Sequence, residues 1–553
     1  MPTAAPRDLL PSAHLDHWPR KQLPPAEEWP VMLLDGPYDY PPTLNAAEQL
    51  LDRALSDGHG DRVALVTPDG AGGWADTTYA ELAAQVDALA HVLASNLGLV
   101  PGNRVLLRGF NGRWMAAAWL ATIKAGLVAV TTMPLLRTKE LRVIIERAQC
   151  AAALCDARLA DELRVAAAAP TTLTAIHCWG TDADDGLEAL TARRSAPFPV
   201  VATSRDDVCL IAFTSGTTGV PKGCMHFHRD VMAMCDGFSA QVLRTSGTDR
   251  CIGTPPLAFT FGLGGLLCFP LAARGAAILV EKATPDSLLD AIQATGATVS
   301  FTAPTFYRQM ALTIGREPGR WSTGSLRASV SAGEALPDAT RTLWRDATGI
   351  EMLDGIGATE LMHIFIAAAG PEVRHGAIGR AVPGYTVAIL DDALDPVPTG
   401  AVGRLAVRGP TGCRYLNDGR QRDYVQRGWN LTGDAVTMDA DGYVFFKART
   451  DDLILSAGYN IGAPEVEAAV LQHDAVAECA VVGVPDEDRG QAVKAFVVLK
   501  PDVTASDALK RAIQDFVKAT IAPYKYPRVV EFVSALPKTD TGKLQRFRLK
   551  ETS

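Results

Sequence analysis

No stretch of the sequence is both apolar enough and free enough of helix breakers to read as a membrane span. The longest apolar run, residues 261–280, contains Pro270, Arg274 and four glycines, so it is expected to form buried strand and loop. Residues 1–18 carry Pro2, Pro6, Arg7 and Pro11 and lack the apolar core of a signal peptide, so no targeting segment is expected. The ten cysteines are scattered singly, with no Cys-x-x-Cys pair and no metal-ligand spacing. That pattern reads as buried, reduced thiols in a cytoplasmic protein. There is no basic excess either. A net charge of −9 argues against nucleic acid or an anionic membrane as the main partner. A small phosphate-bearing ligand stays compatible, because local geometry can oppose global charge. The remainder is ordinary: 553 residues, 48% apolar and 21% charged, describe a soluble globular chain with room for more than one domain.

Short β-branched runs alternate with longer helical patterns over most of the length. Residues 62–66 read as a strand. Thr78 and Glu81 have capping-box spacing, and Leu82, Val86, Leu89, Leu93 and Leu97 follow at helical intervals. Residues 104–107 read as the next strand and 114–125 as the next helix. Residues 207–213, 276–280, 298–302, 327–331 and 351–354 continue the series. Such alternation implies an α/β fold of parallel sheets covered by helices. After about residue 450 the pattern changes. Two strands, 478–484 and 491–499, precede a helix beginning at Ser506 with Leu509, Ala512, Ile513, Phe516 and Val517 on one face, and a further strand spans 528–533. The expectation is a large domain over 1–450 and a small α+β domain over 451–553.

The strongest chemical signal is the run Thr214-Ser215-Gly216-Thr217-Thr218-Gly219-Val220-Pro221-Lys222-Gly223, directly after an apolar strand. Its glycines permit tight turns and close approach to a ligand, while four hydroxyls and Lys222 can donate to phosphate oxygens. It is not a Walker A loop, because Lys222 lies between Pro221 and Gly223 rather than after Gly and before Ser or Thr.

With that loop the sequence resembles the adenylate-forming superfamily of acyl-CoA synthetases, luciferases and peptide-synthetase adenylation domains. Further stretches agree in order along nearly the whole chain. The resemblance implies a large N-terminal domain of parallel-rich sheets with a small β subdomain, and a small mobile C-terminal domain. It implies three ligands: ATP, Mg²⁺ and coenzyme A. Thr214, Ser215, Gly216, Thr217, Thr218 and Lys222 would surround the phosphates. Gly333 and Glu334, in the run Ser331–Pro337, and Asp354 and Gly355 would pack around the adenine. Thr359 would contact the α-phosphate and Glu360 would help hold the metal; a hard cation bridging phosphates favours a carboxylate and waters. Asp434 in Thr432-Gly433-Asp434 matches the ribose site, where a carboxylate accepts from both hydroxyls. Arg449 matches a nucleotide contact and Asp451 the hinge pivot; Ala448 stands where the family usually has glycine. Gly458 would open the pantetheine tunnel. Lys543, in Pro537–Lys543, would bridge carboxylate and α-phosphate and stabilise the charge that develops between two anions.

For the acid, Asp354–Phe365, Val382–Tyr385 and Ala522–Arg528 resemble benzoate-type CoA ligases. Ser12–Asp16, Leu23–Pro25 and Trp29-Pro30 resemble 2-aminobenzoate (anthranilate)–CoA ligases in particular. The implied pocket uses Phe261 and Gly262, with Ile356 and Gly357 as its floor and His363 and His226 as further contacts. A flat aromatic wall suits a flat ring, and offset stacking adds about 0.5–1.5 kcal/mol beyond burial. Relatives often carry Tyr at the Phe261 position. The expected activity is adenylation of a small aromatic carboxylate, anthranilate first and benzoate second, then transfer to coenzyme A. A separate carrier protein as thiol acceptor stays open, as does a monomer or a homodimer; no nucleic acid or membrane partner is expected.

Overall fold

The structure, a computed structural model, describes residues 9–168, 171–214, 221–449, 453–456, 459–486, 490–521, 523–538 and 544–551. Two large sheets form its N-terminal part. One has six strands in the order Ala175–Trp179, Ala152–Asp156, Arg104–Arg108, Val128–Thr132, Val208–Thr214 and Lys222–Phe227. All neighbours run parallel except the last pair. The second has nine strands, and its central six, from Met352–Gly357 to Val63–Pro68, run parallel. Strands such as Arg104–Arg108 and Val128–Thr132 are buried along their whole length, which is why they read as apolar runs rather than alternating ones.

The expected capping box forms. Thr78 Oγ1 accepts from the Glu81 N–H, Glu81 accepts from the Thr78 N–H, and the helix Tyr79–His91 follows. Its inner face, with Leu82, Val86 and Leu89, joins a continuous core that also takes in Trp119 and Phe238.

An antiparallel sheet of five strands follows: Thr386–Leu390, Gly403–Arg408, Val425–Gln426, Trp429–Met438 and Val444–Arg449. The C-terminal part is a mixed sheet. The expected strands appear as Val476–Asp486, Gly490–Leu499 and Val529–Phe532. A hairpin of Leu453–Ser456 and Tyr459–Gly462, not anticipated from sequence, completes it. The helix Asp507–Thr520 is capped by Ser506, and Ile513 and Val517 are buried.

One expectation fails. The apolar run after Phe259 is mainly helical: Thr260–Leu263, a wider turn over Gly264–Cys268, and Phe269–Ala272, with strand only at Ala276–Ile278. Pro270 does not break it, because it sits where the wider turn over Gly264–Cys268 runs into the last segment and the regular i→i−4 ladder is already interrupted. The glycines are there for packing. A Cβ on Gly265 would lie 2.7 Å from the Phe301 ring.

Among the described residues no helix is long and apolar enough to cross a membrane. All ten cysteines are buried and unpaired as disulfides.

Candidate active site

Strands Val208–Thr214 and Lys222–Phe227 are antiparallel neighbours, with Thr214 opposite Lys222. Ser215, Gly216, Thr217 and Thr218 of the glycine-rich run lie outside the described residues. Lys222 points across to a second segment. Its Nζ donates to the Tyr415 hydroxyl at 2.8 Å, and that hydroxyl donates to Glu360 Oε1 at 2.5 Å. Lys222 Nζ and Glu360 Oε1 stand 3.7 Å apart. Tyr415 is fully buried; that burial, and next the charge of Glu360, hold its phenol far above the ordinary value, so it stays a donor. The backbone explains its placement: Leu416 N–H donates to Gly223 O and Met225 N–H to Arg414 O, each at 2.8 Å.

Glu360 sits in a single 3₁₀ turn, Thr359–Leu361, after the strand Met352–Gly357. Thr411 Oγ1 donates to Leu361 O at 2.8 Å and ties that turn to the segment carrying Tyr415. Met362 follows at φ 69° and ψ −42°, and the His363 N–H reaches back to Leu361 O at 2.9 Å. This is a tight γ-turn that a non-glycine residue adopts at a cost, and it reverses the chain between Glu360 and His363.

The neighbouring loops leave adjacent parallel strands, with Ser331 opposite Asp354 and Ala332 opposite Gly355. Gly333 takes φ 88°, and Glu334 accepts from Thr305 Oγ1 at 3.2 Å. Asp354 is buried, which pushes its carboxyl up to about 7 despite the Arg341 cation. Further along, Asp434 and Arg449 face each other across antiparallel strands, and Arg449 Nη1 donates to Asp434 Oδ1 and Thr432 O, each at 2.8 Å. Gly433 takes φ 77°, and any Cβ there would lie 2.7 Å from the Arg449 guanidinium. Asp451, Gly458 and Lys543 fall outside the described residues.

The aromatic wall is built around His363. Its Nε2–H donates to Phe261 O at 3.3 Å. Its ring centroid lies 5.6 Å from that of Phe261, 5.6 Å from Phe238 and 4.6 Å from Phe269. A Cβ on Gly264 would collide with the imidazole, and one on Gly357 would lie 2.9 Å from His363 O. Ile356 packs against the same core. Burial lowers the His363 pKa to about 3, so the ring is neutral near neutral pH, and its Nδ1 has no hydrogen-bond partner among the described residues. Asn111 secures the preceding loop, donating to Pro255 O at 3.0 Å and accepting from the Leu257 N–H at 2.8 Å.

His226 belongs elsewhere. It is fully buried, with Nδ1 3.8 Å from Asp230, whose carboxylate pairs with Arg414; Arg414 in turn lies 4.1 Å over the Phe227 ring. The sequence expectation had joined it to the ring pocket, but its position on the strand turns it into this ionic cluster. Tyr415, Arg414 and Asn111 were not singled out from sequence, since each acts through partners at least 55 residues away along the chain.

Among the described residues no group of three or more His, Cys, Asp or Glu could hold a metal ion alone. A single buried carboxylate beside a lysine fits a hard cation that arrives on phosphate oxygens.

Residues 52–415 match the family described as AMP-binding enzyme, and residues 465–543 match the AMP-binding enzyme C-terminal domain. The benzoate–CoA ligase of Thauera aromatica is 35% identical over 516 residues, covering 92% of this chain and 96% of that protein. A 3-hydroxybenzoate–CoA ligase of an Aromatoleum species is 32% identical over 92% of this chain and 97% of its own length. The crystal structure of an anthranilate CoA ligase in complex with anthranoyl-AMP superposes with a TM-score of 0.86 at 33% identity, covering 93% of this chain and 98% of that one.

Proposed function

The chain belongs to the AMP-binding enzyme family, and from that premise we propose that its preferred acid is 2-aminobenzoate (anthranilate), with benzoate as the second reading. It is an aryl acid–CoA ligase that uses ATP, Mg²⁺ and coenzyme A. A carboxylate is a poor electrophile, so ATP supplies the leaving group. The carboxylate oxygen attacks the α-phosphorus and pyrophosphate departs. The thiolate of coenzyme A then attacks the acyl carbon and AMP departs.

In this reading Thr214 and Lys222, with Ser215, Gly216, Thr217 and Thr218, take the phosphates. Thr359 meets the α-phosphate, and Glu360 faces the metal, which neutralises phosphate charge when bound. Gly333, Glu334, Asp354 and Gly355 frame the adenine, and Asp434, aligned by Arg449, takes the ribose. Lys543 serves adenylation, Gly458 the thiol step, and Asp451 the rotation of residues 451–553 against 1–450. The enzyme works in the cytoplasm.

The observation that carries the aryl reading is the wall of Phe261 and His363, closed behind by Phe238 and Phe269. Anthranilate is favoured over benzoate because the neutral His363 ring keeps Nδ1 as an acceptor without a partner among the described residues, which an ortho N–H could satisfy. Likeness to the anthranilate CoA ligase structure supports the same choice, while likeness to the Thauera enzyme supports benzoate.

The test is CoA-dependent AMP release with MgATP across anthranilate, benzoate, 3-hydroxybenzoate, salicylate and octanoate. Highest kcat/KM with anthranilate is expected. A preference for benzoate would keep the chemistry and overturn the role given to His363 Nδ1.

A further inference from the structure

Three side chains far apart in sequence meet at one oxygen. Tyr415 Oη accepts from Lys222 Nζ at 2.8 Å and donates to Glu360 Oε1 at 2.5 Å, while the two charged groups stay 3.7 Å apart. Resting on the reading that Glu360 faces the metal and Lys222 the phosphates, we propose that Tyr415 is a positioning residue: its hydroxyl holds that carboxylate and that ammonium in the geometry the metal–nucleotide complex needs.

An ammonium and a carboxylate this close, both largely shielded from water, attract strongly and tend to collapse into direct contact. Collapse would turn both away from an incoming ligand. The phenol prevents it by giving each group a neutral partner. It engages only Oε1 of Glu360, and Oε2 would be the oxygen that holds the metal.

The hydroxyl can hold two groups because its ring cannot move. The Tyr415 N–H donates to Gln421 Oε1 at 2.9 Å, and the Gln421 amide is fixed by Glu28 O at 2.8 Å and Cys413 O at 3.2 Å. Cys224 bridges Tyr415 through the backbone, and the Tyr424 ring packs edge-on at 5.8 Å. Lys222 Nζ also lies 4.7 Å from the Tyr415 ring centroid, so the ring attracts the ammonium as well as the hydroxyl does. Supporting partners of this kind set the orientation of a metal-facing carboxylate, and removing one typically weakens metal affinity about 10-fold or more.

The experiment measures Mn²⁺ affinity by electron paramagnetic resonance, with α,β-methylene-ATP present, for the wild type, Tyr415→Phe, Glu360→Gln and the double variant. Tyr415→Phe keeps the ring, and its thermal midpoint checks the fold. It should weaken Mn²⁺ binding about 10-fold and raise the Mg²⁺ concentration needed for adenylation by a similar factor. The double variant should bind no more weakly than Glu360→Gln alone, because the tyrosine acts through the glutamate. Wild-type Mn²⁺ affinity in Tyr415→Phe, with Glu360→Gln impaired, would overturn the role of Tyr415 alone. Multiplying effects in the double variant would also overturn it, because the tyrosine would then act independently. Wild-type affinity in Glu360→Gln would instead remove the reading of Glu360 on which the proposal stands.

Discussion

A histidine buried among aromatic rings loses its charge before it loses its hydrogen-bonding capacity, and His363 shows the consequence. With its pKa lowered to about 3 by burial, it carries no proton charge under any ordinary assay condition. Between about pH 6 and about pH 8 the anthranilate-to-benzoate ratio of kcat/KM should therefore stay flat, because His363 does not titrate there. His363→Leu removes the acceptor and should lower that ratio about 10-fold, the scale of one buried hydrogen bond, while benzoate turnover falls less. Equal losses for both acids would show that His363 only packs. Lys543 answers to a different measurement. Lys543→Ala should abolish most adenylation yet spare thioester formation from supplied acyl-adenylate; equal damage to both half-reactions in a folded variant would contradict its assignment.

Among the elements, the segment Thr260–Ala272 teaches most about placement. Its glycines let the helical turns press against backbone: a Cβ on Gly262 would run into the Pro256 carbonyl and lie 2.6 Å from Pro255 O. Neither oxygen is on a flexible side chain. Gly262→Ala should cost about 1–3 kcal/mol in stability through overpacking and should lower kcat/KM for every aryl acid alike, since it displaces the Phe261 wall as a unit. Thermal unfolding and the acid panel together check this, and an Ala variant with unchanged midpoint would refute the crowding. The turn Thr359–Leu361 and the reversal at Met362 act similarly, sending Glu360 toward Tyr415 and His363 toward Phe261 from positions three residues apart.

The molecule as a whole holds Asp354 in a place where ionisation is unfavourable. Its carboxyl is raised to about 7 in the folded state, chiefly by burial, against 3.8 as the ordinary value. Between those values the folded chain binds the proton more tightly than the unfolded chain, so this group's contribution to stability falls as pH rises. Asp354→Asn should therefore raise the thermal midpoint of the nucleotide-free protein more at about pH 8 than at about pH 5. The difference should be about 2–3 kcal/mol, because about two pH units lie between pH 5 and the folded value at about 1.4 kcal/mol each. A pH-independent difference would mean that the carboxyl titrates normally. The large parallel sheets set the frame for this site, since the loops that leave Ala328–Ala332 and Met352–Gly357 are adjacent only because the strands are.

The sequence by itself determined what is local or periodic. The capping box at Thr78 and the buried parallel strands each write their chemistry into neighbouring residues, so spacing alone revealed them. The motif order along the chain also disclosed the class of reaction. Only the tertiary structure decided which distant groups meet. Nothing near Tyr415 in sequence signals that it joins Lys222 to Glu360, and nothing near His226 shows that its strand turns it to Asp230 instead of the ring wall. Likewise, Gly262, Gly264 and Gly265 look like helix breakers in a string of letters, and only the backbone and rings pressed against them show that they permit helical packing. The physical reason is common to all three. A contact's free energy depends on distance in space and exclusion of water, and neither is encoded by position along the chain until the sheets have closed.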